Sequence, residues 1–431
     1  MSMQEWRFDL LGFTVFDDKI TTKWRQEAAA SGRGVSPKMM DWLIEELRWK
    51  AGYLTRTGMI MPLDSGVVLS DTAISSELQH ELHKAVAPLE TLKKDFHPNS
   101  GEKVVDLVHP SLFPVIYGRI RVLRKRLLGL DDCLNHAGEG ELLPAEPDGT
   151  GYSSGFSKRF QWMPCNIEFT SDGGCQIISL TIPLWNVTLF NNDNQNHRID
   201  YGEVEYDPPD GSPYDEWERV RRIVKPEPKV FDPSIITPIE TVNLCKNFSH
   251  GLQIIIKLAN IELTLGKPEY EGGSWHIEGA VNEHICASAL YYYSNTNTTN
   301  SSLSFRQHAC ERDINDMPYE QYNFSLADRS KPGHRKILAL FLVDPHFRID
   351  SSANVPPQRE HWQDEKQKTI SQPLSRLPQE LWDMVMQYAD IDYITLEEAC
   401  QYRLELMEER TAKTIMANKA FETGDFNLCE H

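Results

Sequence analysis

Residues 331–345, KPGHRKILALFLVDP, decide the fold. A Pro-Gly turn leads into an unbroken apolar run at 337–343, and a second such run, HICASALYYY, occupies 284–293. Apolar runs of this length between turn residues are typical of strands that are covered on both faces. The sequence therefore predicts a sheet that contains two buried strands.

Further strands are predicted on the N-terminal side of these runs. Ile261, Leu263 and Leu265 alternate with polar neighbours. Residues 159–169, RFQWMPCNIEF, are rich in aromatic and β-branched side chains, and residues 199–206 also alternate before a cluster of turn residues. The chain from about residue 150 onwards is therefore β-rich.

Helices are predicted on both sides of the β-rich part. Residues 36–50 begin with Ser36 as N-cap and Pro37 at the first helical position. An apolar face follows at helical spacing, formed by Met40, Leu43, Ile44 and Leu47. Similar patterns predict helices at 76–90, 111–122, 377–388 and 396–420, although Pro114 interrupts the second of these. The Glu-to-Arg spacings of the last helix indicate a solvated face.

These elements predict an α+β fold with a β-rich core wrapped by N- and C-terminal helices. We expect an N-terminal helical part at 1–130, the β-rich core at 131–355, and a linker with C-terminal helices at 356–431. Residues 351–375 are polar, with Pro356, Pro357 and a charged stretch, which is typical of a linker or a surface wrap.

Composition excludes some classes of function. The 431 residues contain 44 Lys and Arg against 63 Asp and Glu, a net charge of −19, so we expect no nucleic-acid partner. A basic N-terminal segment followed by an apolar core is missing, and so is a run of the roughly 18–20 apolar residues that span a bilayer. We expect a cytoplasmic protein with no membrane partner.

Two other features of the composition have ordinary explanations. The basic run of 119–126, with five Arg or Lys, is either an anion site or a solvated helix face. The eight cysteines include no C-x-x-C pair, so we expect reduced and mostly buried thiols.

One constellation has chemistry in it, within EGGSWHIEGAVNE at 271–283. On a strand, His276 and Glu278 leave the same face and can bind one ion. With a second imidazole from elsewhere they make the two-histidine, one-carboxylate set of non-haem iron oxygenases. The alternative is a core histidine beside a surface acid.

Arg335 is a second polar residue in apolar surroundings. It follows the Pro-Gly turn at the start of the buried run, where an unpaired guanidinium costs free energy. A planar bidentate donor at this position suits the carboxylate of a small dicarboxylic cosubstrate. A salt bridge to one of the many acidic residues explains it equally well.

Long stretches of the chain resemble the domain-of-unknown-function 4246 family, which is found mainly in filamentous fungi. The resemblance covers nearly the whole chain, from Trp24 to beyond Arg410. Its most specific segments are KVVDLVHPSLFPVIYGRIRVL at 103–123, GGSWHIEGAVNEHICASALYYY at 272–293, and SLADRSKPGHRKILALFLVDPHFRIDSSANVPPQ at 325–358.

The resemblance implies a divergent double-stranded β-helix, or jelly-roll, oxygenase that uses iron(II) and 2-oxoglutarate. The family's W-H-x-E segment matches residues 275–278, which implies His276 and Glu278 as iron ligands. Its G-H-R-K-I-L-A strand matches residues 333–339, which implies Arg335 as the residue that binds 2-oxoglutarate. Iron supplies the oxidising chemistry in such enzymes, while the protein supplies ligands, orientation and a dry pocket.

The chain departs from the family pattern in two places. Family members carry the third iron ligand, a histidine, on a strand between the F-R-Q and S-L-A-D segments, whereas only sixteen residues, 308–323, separate these segments here. A helical segment expected after Leu180 is also missing. The remaining candidates for the third ligand are His308, which a loop can deliver, and His334.

Two functions follow from these observations. The first is an iron(II)- and 2-oxoglutarate-dependent oxygenase that acts on a small molecule of unknown identity. The second is a catalytically silent relative that keeps the fold for binding, as a partner subunit of an active homologue.

Overall fold

The fold is described from a computed structural model of the chain. The residues that the structure describes are 14–32, 34–60, 67–144, 155–171, 174–179, 189–190, 228, 230–233, 241–272, 276, 278–299, 303, 324–360, 378, 380–381, 384 and 393–422. The chain divides into two compact units, one made of residues 1–80 and 190–242 and the other of residues 81–189 and 243–431.

The described helices are α1 (Asp18–Ala30), α2 (Pro37–Thr57), α3 (Ser76–Glu90), α4 (Leu244–Asn247) and α5 (Leu396–Glu422). The described strands are β1 (Val104–Val108), β2 (Val115–Ile116), β3 (Arg121–Val122), β4 (Glu141–Leu142), β5 (Phe160–Gln161), β6 (Cys165–Phe169), β7 (Cys175–Ile177), β8 (Leu189–Phe190), β9 (Thr241–Val242), β10 (Leu252–Leu263), β11 (Glu269–Tyr270), β12 (Ile285–Thr296), β13 (Phe324–Ser325) and β14 (Gly333–Val343).

The first unit contains α1 and α2. The prediction of a helix that begins after Ser36 is confirmed: the Ser36 side chain accepts a hydrogen bond from the Met39 N–H, and the helix ends at Gly58 in the left-handed conformation. Ile44 is fully buried, whereas Leu43 is 42% exposed, so the apolar face is narrower than the periodicity predicts.

The second unit is built on one six-stranded sheet. The strand order is β12-β14-β10-β6-β7, with β1 also paired to β10, and every pairing is antiparallel. The α+β class is therefore confirmed. The described strands do not close into a barrel, and the jelly-roll core remains a prediction.

The face of this sheet that carries Ile255, Ala339 and Phe341 packs into the main hydrophobic core, and we call it the core face. The register places Lys257 of β10 opposite Ala339, on the same face. Helix α5 contributes Leu406 to this core. A lysine therefore lies beside the apolar residues of this face.

The opposite face of the sheet is linked to α3. Glu90, the last residue of α3, accepts hydrogen bonds from Asn260 Nδ2 at 2.8 Å and Lys336 Nζ at 2.5 Å. His83 of α3 is 3.1 Å from the carbonyl oxygen of Tyr293 through its Nε2 atom. The predicted helix at 76–90 is confirmed, because α3 has these same bounds.

The predicted helix at 111–122 is wrong. This segment contains the short strands β2 and β3, each paired with a later strand. Pro114 has no N–H to donate, and both Phe113 and Gly118 have positive φ angles, of 64° and 80°, so the chain turns here instead of coiling. The basic run that follows is mostly exposed and is not helical.

The two apolar runs differ in burial. Residues 338–343 of β14 are all less than 9% exposed, which confirms the prediction for that run. Strand β12 is exposed at Cys286, Leu290 and Tyr292, which alternate along the strand and therefore lie on one face of the sheet. The prediction that it is covered on both faces is therefore wrong.

Three smaller expectations are corrected. Residues 351–358 were expected in a linker or surface wrap, yet Ser351, Ala353 and Val355 are buried, so this part packs against the core. Residues 159–169 form two strands, β5 and β6, separated by a segment that contains Pro164. The six described cysteines are free, but Cys245, Cys286 and Cys400 are exposed, contrary to the expectation of mostly buried thiols.

Helix α5 confirms the predicted helix at 396–420, but its arginines are not all solvated. Arg403 is only 3% exposed. The predicted strand at 199–206, most of the predicted helix at 377–388, and His308 lie outside the described residues. In the described part of the chain, no helix combines the length and apolarity needed to cross a bilayer.

Candidate functional site

Charged side chains and imidazoles collect beside the core face of the sheet in the second unit. We call this set the polar layer, and its members are His97, Asp106, His109, Lys257, His276, Glu278, Glu283, Arg403 and Arg410. Three carboxylates are balanced by three permanent cations, which is how buried charge becomes tolerable. A polar layer that runs from an apolar core to the surface is a candidate for function.

His276 and Glu278 meet as predicted from their spacing. His276 Nε2 lies 3.2 Å from Glu278 Oε1, and the two side chains are 50% and 31% exposed. Neither residue lies in a strand; both precede a short 3-10 helix at Val281–Glu283. A loop brings the two side chains together. The predicted contact is present, but the predicted strand is not.

The electrostatic surroundings of Glu278 favour its ionised form. Burial raises the pKa of Glu278, but the hydrogen bond with His276 and the charges of Lys257, His276 and Arg410 outweigh it and hold the pKa below its usual value. An ionised carboxylate beside an imidazole is a donor pair that suits a divalent transition metal.

Glu283 anchors the other side of the polar layer. Its side chain is fully buried and pairs with Arg410 of α5. The backbone N–H groups of Trp162 and Ala280 donate to its two oxygens at 2.5 and 2.6 Å. Burial raises the pKa of Glu283, and Arg410 with the two N–H groups opposes that rise. The Arg410 guanidinium also lies 3.8 Å from the centre of the Trp162 ring.

Asp106 of β1 forms the third part of the layer. Its Oδ2 atom is 2.8 Å from His97 Nδ1 and 3.3 Å from Arg403 Nη2, and its side chain is 1% exposed. Arg403 also binds Asp95 through Nη1. These contacts fasten helix α5 to the sheet.

His109 lies between these groups. Its ring centre is 5.0 Å from that of His97 and 6.4 Å from that of Trp162. Burial, followed by the nearby charges of Lys257, His97 and the two arginines of α5, holds the pKa of His109 well below its usual value. The ring is therefore neutral near pH 7 and accepts a hydrogen bond from the Ser111 N–H at Nδ1, at 3.1 Å.

The predicted cosubstrate residue lies on the same face of the sheet. Arg335 is opposite Ile261 in the register, and its guanidinium lies 3.8 Å from the centre of the Tyr292 ring. Burial lowers the pKa of Arg335. Its neighbour His334 points to the other face, as strand alternation predicts, where its Nε2 atom is 2.9 Å from Ser294 Oγ.

Sequence reasoning missed most of the polar layer. Of its members, the sequence predicts a functional role only for His276 and Glu278. A signal existed for two others, because Asp106 interrupts the apolar segment VVDLV and Lys257 interrupts LQIIIKLANIEL. Nothing local marks Arg403 or Arg410, which read as part of a solvated helix.

A cavity of about 600 Å³ lies beside β1 and the end of α3. Much of the charge on its wall is already paired, including Lys94 with Glu262 and Lys336 with Glu90. Asp106 and Asp95 also line it, so it reaches the edge of the polar layer.

Comparison with known proteins gives one relationship. A model of a protein family described as "Protein of unknown function (DUF4246)" matches residues 37–180, 175–324 and 315–366. A search of curated proteins and a search of solved structures gave no match.

Proposed function

Since the chain belongs to the DUF4246 family of proteins of unknown function, we propose that its polar layer serves an iron(II)- and 2-oxoglutarate-dependent oxygenase reaction on a small molecule. The observation that carries this proposal is the contact of His276 with Glu278 beside the cations Lys257 and Arg410. Metal-binding donors and anion-binding cations in one place suit a reaction that needs both.

The donor set fits ferrous iron. An imidazole and an ionised carboxylate are two of the three ligands in the two-histidine, one-carboxylate arrangement. His276 Nε2 and Glu278 Oε1 already face each other, so an ion would replace the hydrogen bond between them. His308 is proposed as the third ligand. The bound iron would supply the oxidising chemistry with oxygen, and the chain would hold and orient the reactants.

The cations suit an anionic cosubstrate. The charges of Lys257 and Arg410 favour the ionised form of Glu278, and the same field attracts a carboxylate that enters beside it. Arg335, on the same face of the sheet, is proposed to bind the second carboxylate of 2-oxoglutarate through its planar guanidinium.

The substrate side is open and apolar. Leu290 and Tyr292 of β12 are 40% and 36% exposed, and the register places them opposite Ala339 and Ile337 on the core face. A small molecule with an apolar part can lie on this surface next to Arg335. The proposed small-molecule substrate would lie here.

A specific observation also favours the silent relative. Among the described residues, the one group of three close metal-binding side chains is His97, Asp106 and His109, and it contains neither His276 nor Glu278. If His308 does not complete the site, the chain would bind ligands or a homologous partner subunit without catalysis.

Iron binding in the absence of oxygen tests the proposal. We expect the full chain, dialysed against iron(II), to bind 2-oxoglutarate tightly only when iron is present. In His276→Ala and Glu278→Gln, we expect 2-oxoglutarate binding to stay weak after iron is added. His346→Ala is a matched control, because His346 and Asp344 are also an imidazole and a carboxylate two residues apart in the sequence. The two side chains are in contact at 2.8 Å, and His346 is exposed. Iron-independent binding of 2-oxoglutarate would favour the silent relative.

A further inference from the structure

We propose that His97, Asp106 and His109 form a divalent transition-metal site that is separate from His276 and Glu278. Each residue offers one ligand atom, and these atoms lie within 4.8 Å of one another. Two imidazoles and one carboxylate suit zinc, iron or cobalt, whereas magnesium and calcium prefer oxygen ligands.

The distance between His97 and Asp106 fits two ligands of one ion. Metal–nitrogen and metal–oxygen bonds of about 2.0–2.2 Å place neighbouring ligands roughly 3 Å apart. His97 Nδ1 and Asp106 Oδ2 are 2.8 Å apart. An ion can therefore take the place of the shared hydrogen with little movement of either side chain.

Asp106 has an oxygen that needs a cation. Its side chain is 1% exposed, and its Oδ1 atom is buried without a hydrogen-bond partner among the described residues. A carboxylate oxygen withdrawn from water without a donor is costly, and a bound ion would remove that cost.

The local charge also favours a cation. Arg403 contacts Asp106 and carries one positive charge, but it is bound on its other side by Asp95. Two carboxylates and one guanidinium give −2 + 1 = −1 around Asp106, which attracts a divalent ion to that side of the site, whereas the charges of Lys257 and Arg410 act against a cation beside His109. Arg403 would hold the carboxylate in place while the ion binds both of its oxygens, Oδ2 beside His97 and the buried Oδ1.

His109 would complete the ligand set after a small adjustment. Its Nδ1 atom accepts from the Ser111 N–H, so the ring must turn and give up this hydrogen bond to present a free nitrogen. The metal–nitrogen bond would offset this loss for the ring, and the Ser111 N–H would need another acceptor. Solvent reaches the site at His97, whose side chain is 23% exposed.

Cobalt(II) binding to the metal-free full chain tests the site. We expect Asp106→Asn and His97→Gln each to lose one equivalent of bound cobalt and its visible absorption band, with affinity for that equivalent falling about 100-fold or more. His97 is the safer position, because its side chain is 23% exposed and tolerates substitution.

His276→Ala is the discriminating control. We expect it to keep the cobalt equivalent assigned to His97, Asp106 and His109, even if the oxygenase proposal fails. Cobalt binding that is lost in His276→Ala alone, or unchanged in His97→Gln with native circular dichroism, would overturn the inference. Absence of cobalt binding by the unsubstituted chain would also overturn it.

Discussion

Arg403 on helix α5 places its Nη2 atom 3.3 Å from Asp106 Oδ2 on strand β1, and both side chains are at most 4% exposed. The two residues come from distant parts of the sequence, yet their contact joins the C-terminal helix to the sheet. Arg410 repeats the arrangement farther along the helix by pairing with the buried Glu283. Two buried ion pairs therefore fix α5 beside the candidate site.

Removal of the Arg403 guanidinium should be strongly destabilising. Arg403→Met leaves the buried Asp106 carboxylate without its cation, and breaking a buried pair in this way costs about 3–5 kcal/mol of unfolding free energy. Urea unfolding measures the change. The double variant Asp106→Asn with Arg403→Met should recover part of the loss, and a loss no larger than that of the exposed Arg121→Met would contradict the assigned role.

The apolar part of the core face is tested at Phe341. This side chain is fully buried, lies opposite Ile255, and has its ring centre 5.7 Å from that of Trp162. Phe341→Ala should lower the unfolding free energy by about 3–5 kcal/mol, and Phe341→Leu by less, because a smaller cavity remains. Phe347, which is 49% exposed, provides the control, and equal effects at both positions would argue against the register.

Glu90 should make stability depend on pH. Burial raises the pKa of Glu90, but the hydrogen bonds from Lys336 and Asn260 and the charge of Lys336 hold it below the ordinary value of 4.5. The folded pKa is thus lower than the unfolded one, so ionised Glu90 stabilises the fold above pH 4.5 and this contribution is lost as the pH falls through the folded pKa.

Glu90→Gln should therefore cost about 1–3 kcal/mol at pH 7 and progressively less below pH 4.5. Urea unfolding at a series of pH values measures the difference from the unsubstituted chain. Glu81→Gln, at an exposed position of the same helix, should show little effect at any pH. A constant difference for Glu90→Gln down to pH 3 would contradict the assignment.

Lys257 should contribute to cosubstrate binding and not to metal binding. Lys257→Met keeps much of the side-chain length but removes the charge beside Glu278, so affinity for 2-oxoglutarate should fall roughly 10- to 100-fold, as expected for a lost charge-assisted contact. Isothermal calorimetry on the iron-loaded chain measures this affinity. Lys246→Met, at an exposed position, is the control, and equal affinities for the two variants would exclude a role for Lys257.

Local patterns were sufficient for the long elements of the fold. The N-cap at Ser36 and the apolar spacing behind it predicted α2, and the unbroken apolar run of β14 predicted a buried strand. Local patterns failed to predict burial where it depends on the position of a strand in the folded sheet. The apolar run of β12 looks like a buried strand, but its burial depends on neighbours that local sequence does not specify.

The candidate site was predictable only where its residues are close in sequence. His276 and Glu278 are two residues apart and do contact each other, but from a loop and not from the strand on which the prediction rested. The remaining parts of the polar layer are assembled by pairing between β1 and β10 and by the packing of α5, which joins Asp106 to Arg403. Long-range contacts of this kind leave no periodic signal, although a charged residue inside an apolar strand indicates where to look.

Succinate formation from 2-oxoglutarate in air is the most direct test of the oxygenase proposal. The full chain loaded with iron(II) should release succinate, His346→Ala should do so at the same rate, and His276→Ala should release none. An unchanged rate in His276→Ala, or no succinate from a chain that binds both iron and 2-oxoglutarate, would contradict the proposed function.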